Sequence, residues 1–132
     1  MKEEISKLLK LTFLIHFFVA ILFGLMFTVL IELYVGVVGW PYLDPIAGRI
    51  LGAVFLGLAA ASLLSWRETK WESVKIVVQM EIVWLALAIV VHVWAALTDV
   101  FILILWFQMG LLIFFLGAFI WFYYDQESAK VK

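Results

Sequence analysis

Four long apolar stretches constrain this chain more than any other feature of its sequence. They cover about residues 8–35, 46–66, 74–97 and 100–124, and each reaches the roughly 20 residues that an α-helix needs to cross a bilayer. The chain is 67% hydrophobic and 14% charged, whereas soluble domains are typically about 45–50% apolar and about 25% charged. We therefore predict an all-α integral membrane protein with a single four-span domain over residues 1–132, because lipid is the solvent that suits this composition.

The linkers between these stretches are short and contain turn-forming or charged residues. They cover about residues 36–45, 67–73 and 98–99, and the first contains Gly39 and ends at Pro45. Short connections place consecutive spans antiparallel. The sequence thus predicts an up-down-up-down four-helix bundle. A β-barrel is disfavoured because its strands alternate in polarity at every second residue, which these stretches do not.

The basic residues predict an orientation for the bundle. Eight of the nine fall on one predicted side of the membrane: Lys2, Lys7, Lys10, Arg67, Lys70, Lys75, Lys130 and Lys132. Only Arg49 falls toward the other side. The excess of Lys and Arg in cytoplasmic segments of membrane proteins then predicts a multi-pass protein of the cell membrane with both termini in the cytoplasm.

Small residues on the second span indicate close helix packing. Two pairs have the spacing i, i+4: Gly48 and Gly52, and Ala53 and Gly57. Gly110 and Gly117 add a smooth stripe to the fourth span. Such spacing lets helices approach closely, either within one chain or between chains. Besides the lipid bilayer, we expect a second copy of the chain or a subunit of a membrane complex as partner.

Ionisable residues inside the predicted spans are the candidate functional residues, because each is costly to place in lipid. They are His16, Glu32, Arg49, Glu81 and His92. On the rise of an α-helix, His16 and Glu81 both lie roughly 12 Å from the cytoplasmic end, so we expect them to pair if their helices adjoin. Glu32 and Arg49 flank the first external linker and are predicted to form a structural ion pair. His92 shares a helix face with Glu81, and Arg49 shares one with Ala53 and Ala60; both faces are predicted to point into the bundle.

Three functions compete for these residues. The first is a proton-coupled transporter or permeation protein, in which Glu81 carries the proton and His16 and His92 relay it. Small four-span multidrug transporters have a similar architecture, although their membrane carboxylate lies in the first span. The second is haem or quinone chemistry, since His16 and His92 are the two histidines of the chain. The third is a non-catalytic accessory or assembly subunit, whose buried polar groups only fix helix packing.

The predicted depths of the two histidines argue against haem ligation by both. Their predicted depths differ by about 16 Å, which is too far for one iron. We therefore predict no cofactor, while a quinone or lipid headgroup near one histidine stays an alternative. The sequence contains no nucleophile–base pattern, phosphate-binding loop or metal-ligand cluster, so a function other than catalysis is favoured. A net charge of −1 argues against nucleic acid as a partner.

One short segment resembles a known group of proteins. Pro45, Arg49, Gly52 and Ala53, followed by Leu56 and Gly57, are spaced as at the start of the second span in DoxX-like and related small four-span membrane proteins. The resemblance covers about a dozen residues. It implies the four-span architecture and an association with respiratory membranes, and it brings no catalytic residues.

Overall fold

The computed structural model describes residues 4–40, 44–98 and 103–129, and this part of the chain is all-α, as predicted. It contains five helices: α1 (Lys7–Thr28), α2 (Ile31–Val38), α3 (Pro45–Arg67), α4 (Trp71–Thr98) and α5 (Leu103–Ser128). Lys2, Lys130, Lys132 and Val100, where the fourth span is predicted to begin, lie outside the described residues. Four of the helices, α1, α3, α4 and α5, are long and apolar enough to cross a membrane, and α2 lies outside them.

The first span, predicted as one helix over about residues 8–35, contains a break. Helix α1 ends at Thr28 and α2 begins at Ile31. The hydroxyl of Thr28 donates to the carbonyl of Gly24 at 2.7 Å, and such a bond to the preceding turn bends helices. The side chains of Ile31 and Tyr34 on α2 are buried. Residues that continue an apolar stretch therefore form a separate short helix.

Local signals at the first linker fix where α2 ends and α3 begins. Gly39 closes α2 with a φ of 70°, a left-handed conformation that glycine adopts without a steric penalty. The carboxylate of Asp44 accepts hydrogen bonds from the backbone N–H groups of Ile46 and Ala47, at 2.8 and 3.3 Å. Pro45 occupies the first turn, where its missing N–H costs nothing. These interactions fix the residue at which α3 begins.

Helices α1 and α3 form a closely packed antiparallel pair. Gly24 faces Leu56, and Gly52, one turn earlier on α3, faces Thr28, one turn later on α1. A Cβ atom built on Gly52 would lie 2.7 Å from the backbone nitrogen of Thr28, so the two backbones nearly touch. Packing within the chain explains why Gly48 and Gly52 are buried.

The remaining small residues do not take part in this packing. Ala53 and Gly57 are exposed. A Cβ atom on Gly57, Gly110 or Gly117 would meet nothing within 4 Å. The expectation of a close helix contact is therefore wrong for these positions within one chain, because they lie on faces that the other described helices do not cover.

Helices α4 and α5 form a second antiparallel pair. The amide of Gln79 donates to the hydroxyl of Tyr123 at 3.2 Å. One turn earlier on α4 and one turn later on α5, Lys75 forms an ion pair with Glu127 at 2.9 Å. Glu127 also accepts a hydrogen bond of 2.7 Å from the indole of Trp71. These polar contacts connect α4 with α5 at the end of the bundle where α4 begins.

The largest apolar core joins the two helix pairs near this same end. Its fully buried side chains include Leu9, Phe13, Trp71, Val74, Val78 and Phe119. The backbone N–H of Ile5 donates to the carbonyl of Thr69 at 2.9 Å, which attaches the segment before α1 to the α3–α4 linker. The start of α1 with Lys7 and Lys10, the α3–α4 linker with Lys70 and the start of α4 with Lys75 therefore lie together, at the lysine-bearing end of the bundle. The cytoplasmic location of this end stays a prediction.

Candidate functional site

His16 and Glu81 face each other inside the bundle, as their predicted depths indicate. Helices α1 and α4 run in the same direction. Ile5 contacts Thr69, and His16, eleven residues after Ile5, faces Glu81, twelve residues after Thr69. The Nε2 atom of His16 lies 3.6 Å from Oε2 of Glu81. Glu81 is fully buried and only 3% of His16 is exposed. The predicted pairing is confirmed, and it connects the α1–α3 pair to the α4–α5 pair.

Two further side chains complete a polar network that spans three helices. Nδ1 of His16 and the hydroxyl of Ser62 on α3 share a hydrogen bond of 2.7 Å. The indole N–H of Trp84, one turn after Glu81, donates to Glu81 Oε2. The order of contacts is therefore Ser62, His16, Glu81 and Trp84. Nδ1 of the imidazole is hydrogen-bonded to Ser62 and Nε2 faces the Glu81 carboxylate, so a polar group lies on each side of the ring.

Aromatic rings from α5 close this network on the remaining side. Phe115 and Phe119 approach the imidazole of His16 edge-on, with ring centroids at 4.8 and 5.7 Å and interplanar angles of 84° and 79°. Phe119 is fully buried, and Phe115 is 3% exposed. All four long helices thus contribute to one site, which the rings shield from lipid and water.

The second carboxylate oxygen of Glu81 is the least satisfied atom of this site. Oε1 is buried and has no hydrogen-bond partner among the described residues. A buried polar atom without a partner costs roughly 1–3 kcal/mol, and more when the group is charged. A proton arriving at this carboxyl group would relieve part of that cost. The distance of 3.6 Å to the imidazole exceeds a direct hydrogen bond, so a small approach of α1 to α4 would create one.

His92 does not join this network. Its Nδ1–H donates to the carbonyl of Ala88 at 2.8 Å, within its own helix. Its Nε2 is buried and has no partner among the described residues. His92 lies three turns beyond Glu81 on α4, about 16 Å further along the helix axis. Among the described residues, no contact connects it to Glu81 through which a proton could be relayed.

Glu32 and Arg49 form the predicted ion pair, with 2.5 Å between the guanidinium and Oε1 of Glu32. A backbone hydrogen bond at Glu32 and the hydrogen bond from Arg49 hold the pKa of the Glu32 carboxyl below its ordinary value. The two side chains are 63% and 46% exposed. The predicted inward face of Arg49 is wrong, since Ala53 and Ala60 on that face are exposed as well. The buried face of α3 is instead the one that contacts α1.

Sequence reasoning missed Ser62 and Trp84 in the site, and one hydrogen bond and one buried polar side chain away from it. Gln108 on α5 donates to the hydroxyl of Tyr34 on α2 at 2.9 Å. Gln126 is fully buried, and its side-chain amide has no partner among the described residues. A usable signal existed for Ser62, because the two serines of the second span, at positions 62 and 65, are its only hydroxyl side chains. Trp84 follows Glu81 at the spacing of helical neighbours.

The fold and the site are those of a multi-pass α-helical membrane protein with a buried polar network at the junction of its helix pairs. Within the described residues, no three His, Cys, Asp or Glu side chains lie close enough to hold a metal ion. Comparison with protein-family models, with curated proteins and with solved structures finds no match to this chain. The resemblance to DoxX-like proteins stays a prediction.

Proposed function

We propose that this protein is a small proton-coupled transporter or permeation protein of the cell membrane, in which Glu81 binds and releases the proton. The observation that carries the proposal is the fully buried Glu81 carboxyl group at the contact between the two helix pairs. One of its oxygens faces His16, and the other has no partner among the described residues. Ionisable groups at such positions in membrane proteins commonly mark proton or substrate pathways.

The chemistry of the site is a transfer of one proton between neighbouring groups. The proton leaves the Glu81 carboxyl group and binds Nε2 of His16, which leaves a carboxylate beside an imidazolium. The return of the proton restores two neutral groups. Because Nε2 is the nitrogen that gains the proton, Nδ1 carries its hydrogen in both states and donates it to the Ser62 hydroxyl at 2.7 Å throughout.

This transfer has a mechanical consequence. His16 belongs to the α1–α3 pair and Glu81 to the α4–α5 pair, so the charge state of the two groups changes the attraction between the helix pairs. An equilibrium between two arrangements shifts only when a bound group interacts differently with each of them. A proton at this junction meets that requirement, since it alters a contact that both pairs share.

The test has a spectroscopic part and a flux part. Infrared difference spectra of the protein in lipid should show a protonated carboxyl band that titrates and that disappears in Glu81→Gln. Vesicles loaded with a pH-sensitive dye, under a potassium diffusion potential, should acidify faster with the parent protein than with Glu81→Gln. Glu32→Gln is the matched control, because Glu32 carries the same functional group in an exposed position. Equal proton flux for the parent and Glu81→Gln would overturn the proposal.

We also propose that the lysine-bearing end of the bundle lies in the cytoplasm. The chain contains no cysteine, so single cysteines can be introduced without background. A cysteine at Lys70 should be protected from a membrane-impermeant maleimide in intact cells, and a cysteine at Asp44 should react. The opposite pattern would reverse the assigned orientation.

A second candidate is a non-catalytic accessory or assembly subunit of a membrane complex, including the respiratory association that the DoxX-like resemblance implies. The specific observation in its favour is the tight closure of the site by Phe115 and Phe119, which suits a fixed polar strut. Native mass spectrometry in mild detergent separates the two candidates. A co-purifying protein partner, or a bound quinone, together with unchanged proton flux in Glu81→Gln, would favour this second function.

A further inference from the structure

A shallow groove runs between α4 and α5 on the membrane-facing surface of the bundle. Its lining residues are Gln79, Ile82, Val83, Ile120, Tyr123 and Tyr124. It lies away from the polar network of His16 and Glu81, whose aromatic wall faces the interior. The groove opens near the end of the bundle that carries the described lysines.

The groove is polar at the end that lies near the start of α4 and the end of α5. Gln79 donates to the hydroxyl of Tyr123 at 3.2 Å. The ammonium group of Lys75 lies 5.8 Å from the centroid of the Tyr123 ring and 2.9 Å from the carboxylate of Glu127. A cation, a carboxylate and a phenol therefore lie within one helical turn of the groove. Tyrosine and lysine at such a position commonly meet lipid headgroups.

The other end of the groove is apolar. Ile82 and Val83 lie about one turn beyond Gln79, and Ile120 lies about one turn from Tyr123 toward the membrane centre. Val83 is 59% exposed and Ile120 is 37% exposed. From Lys75 to Val83 the helix rises roughly 12 Å, which is less than half of the roughly 30 Å hydrocarbon core. A molecule with its polar group at the polar end of the groove and its apolar part at the other end would therefore lie within one leaflet of the bilayer.

We propose that the groove binds one zwitterionic phospholipid. Its acyl chain lies along Ile82, Val83 and Ile120, and its phosphate group accepts hydrogen bonds from Lys75 and from the hydroxyl of Tyr123. The headgroup is zwitterionic because Glu127 already balances the charge of Lys75. A headgroup with a net negative charge would meet the Glu127 carboxylate beside a lysine that this carboxylate already neutralises, whereas an ammonium-bearing headgroup offers Glu127 a further favourable contact.

A second groove on the same protein provides an internal comparison. It is lined by Val90, Val93, Trp94, Leu97 and Thr98 near the opposite end of α4. Its one hydroxyl, that of Thr98, already donates to the carbonyl of Trp94 at 2.9 Å. Lipid chains can contact both grooves, but only the α4–α5 groove combines an apolar floor with charged groups at one end.

Native mass spectrometry with defined lipids tests the proposal. The delipidated protein is mixed with phosphatidylethanolamine or phosphatidylglycerol of identical acyl chains, and the lipid retained at increasing collision energy is counted. We expect the parent to retain one phosphatidylethanolamine in preference to phosphatidylglycerol. Tyr123→Phe should lower the retained fraction about fivefold, the factor for one lost hydrogen bond. Val83→Trp should lower it by filling the apolar end.

Thr98→Val is the control for a substitution outside the groove, and it should retain lipid as the parent does. Circular dichroism and gel filtration establish that each variant is folded. Equal retention of the two lipids by the parent, or an equal loss in Thr98→Val and Tyr123→Phe, would overturn the proposal. The outcome is independent of the proton-flux measurement, since these variants leave His16 and Glu81 unchanged.

Discussion

His16 and Glu81 lie on parallel helices of different helix pairs, and 3.6 Å separates Nε2 of the imidazole from Oε2 of the carboxyl group. Their contact is therefore a contact between the two halves of the bundle. It lies within the apolar core, between Phe13 and Val78 toward the lysine-bearing end and Leu85 one turn further along α4. Whatever changes the charge of either group changes how firmly the two halves are joined.

A double-mutant cycle should detect this coupling. His16→Ala and Glu81→Ala each destabilise the protein, because each leaves a cavity and an unpartnered polar group. The double variant should be less destabilised than the sum, with an interaction free energy of about 0.6 kcal/mol and at most about 2 kcal/mol, the range for polar contacts in membranes. The measurement is unfolding in mixed micelles. His16→Ala combined with Glu32→Ala should be additive, since Glu32 pairs with Arg49 instead.

The close approach of α1 and α3 makes a second prediction. Gly52→Ala places a Cβ atom 2.7 Å from the backbone nitrogen of Thr28 and 2.9 Å from the carbonyl carbon of Phe27. Backbone atoms cannot rotate away, so the helices must separate, at a cost of about 1–3 kcal/mol. Gly57→Ala lies on the same helix with nothing within 4 Å of its Cβ, and it should be neutral or stabilising. Equal effects of the two substitutions on thermal unfolding would contradict the observed helix pairing.

The rise of the helices is sufficient to predict the pairing of His16 with Glu81. The rise of an α-helix is constant, so residues at equal distances from one end of parallel helices lie at one level, and His16 and Glu81 do. The pairing of Glu32 with Arg49 followed from their positions on either side of one short linker. Both predictions needed only helix boundaries and chain direction.

The faces of the helices were harder to predict than their depths. In lipid a helix is apolar on all sides, so the periodicity that marks the inward face of a soluble helix is weak. The small residues Ala53 and Ala60 predict an inward face for Arg49, although α3 buries the side that carries Gly52 and Ser62. The end of α1 at Thr28 has no sequence signal either, because the apolar residues continue through Val29, Leu30 and Ile31.

The ionisation of Glu32 should depend on Arg49. The pKa of Glu32 is held below its ordinary value by a backbone hydrogen bond and by Arg49. Its charge therefore stabilises the fold above the ordinary pKa, and this contribution is lost as the pH falls through the lowered value. In Arg49→Gln the pKa should move only part of the way back, because the backbone hydrogen bond remains. Carbon-13 NMR of the Glu32 carboxyl group reports this directly, and Lys75→Gln, at the other end of the bundle, should leave that pKa unchanged.

The docking of α2 should depend on a single hydroxyl. Tyr34 packs against Phe27 with 4.9 Å between ring centroids, and its hydroxyl accepts the hydrogen bond from Gln108 on α5. Tyr34→Phe keeps the ring contact and removes this bond, which is worth about 0.6 kcal/mol, so amide exchange in α2 should accelerate about threefold. Amides in α3 should exchange as in the parent. Tyr124→Phe removes the hydroxyl of a 67% exposed ring and should leave α2 unchanged. Unchanged exchange in Tyr34→Phe would mean that apolar packing of Ile31 and Phe27 alone holds α2 in place.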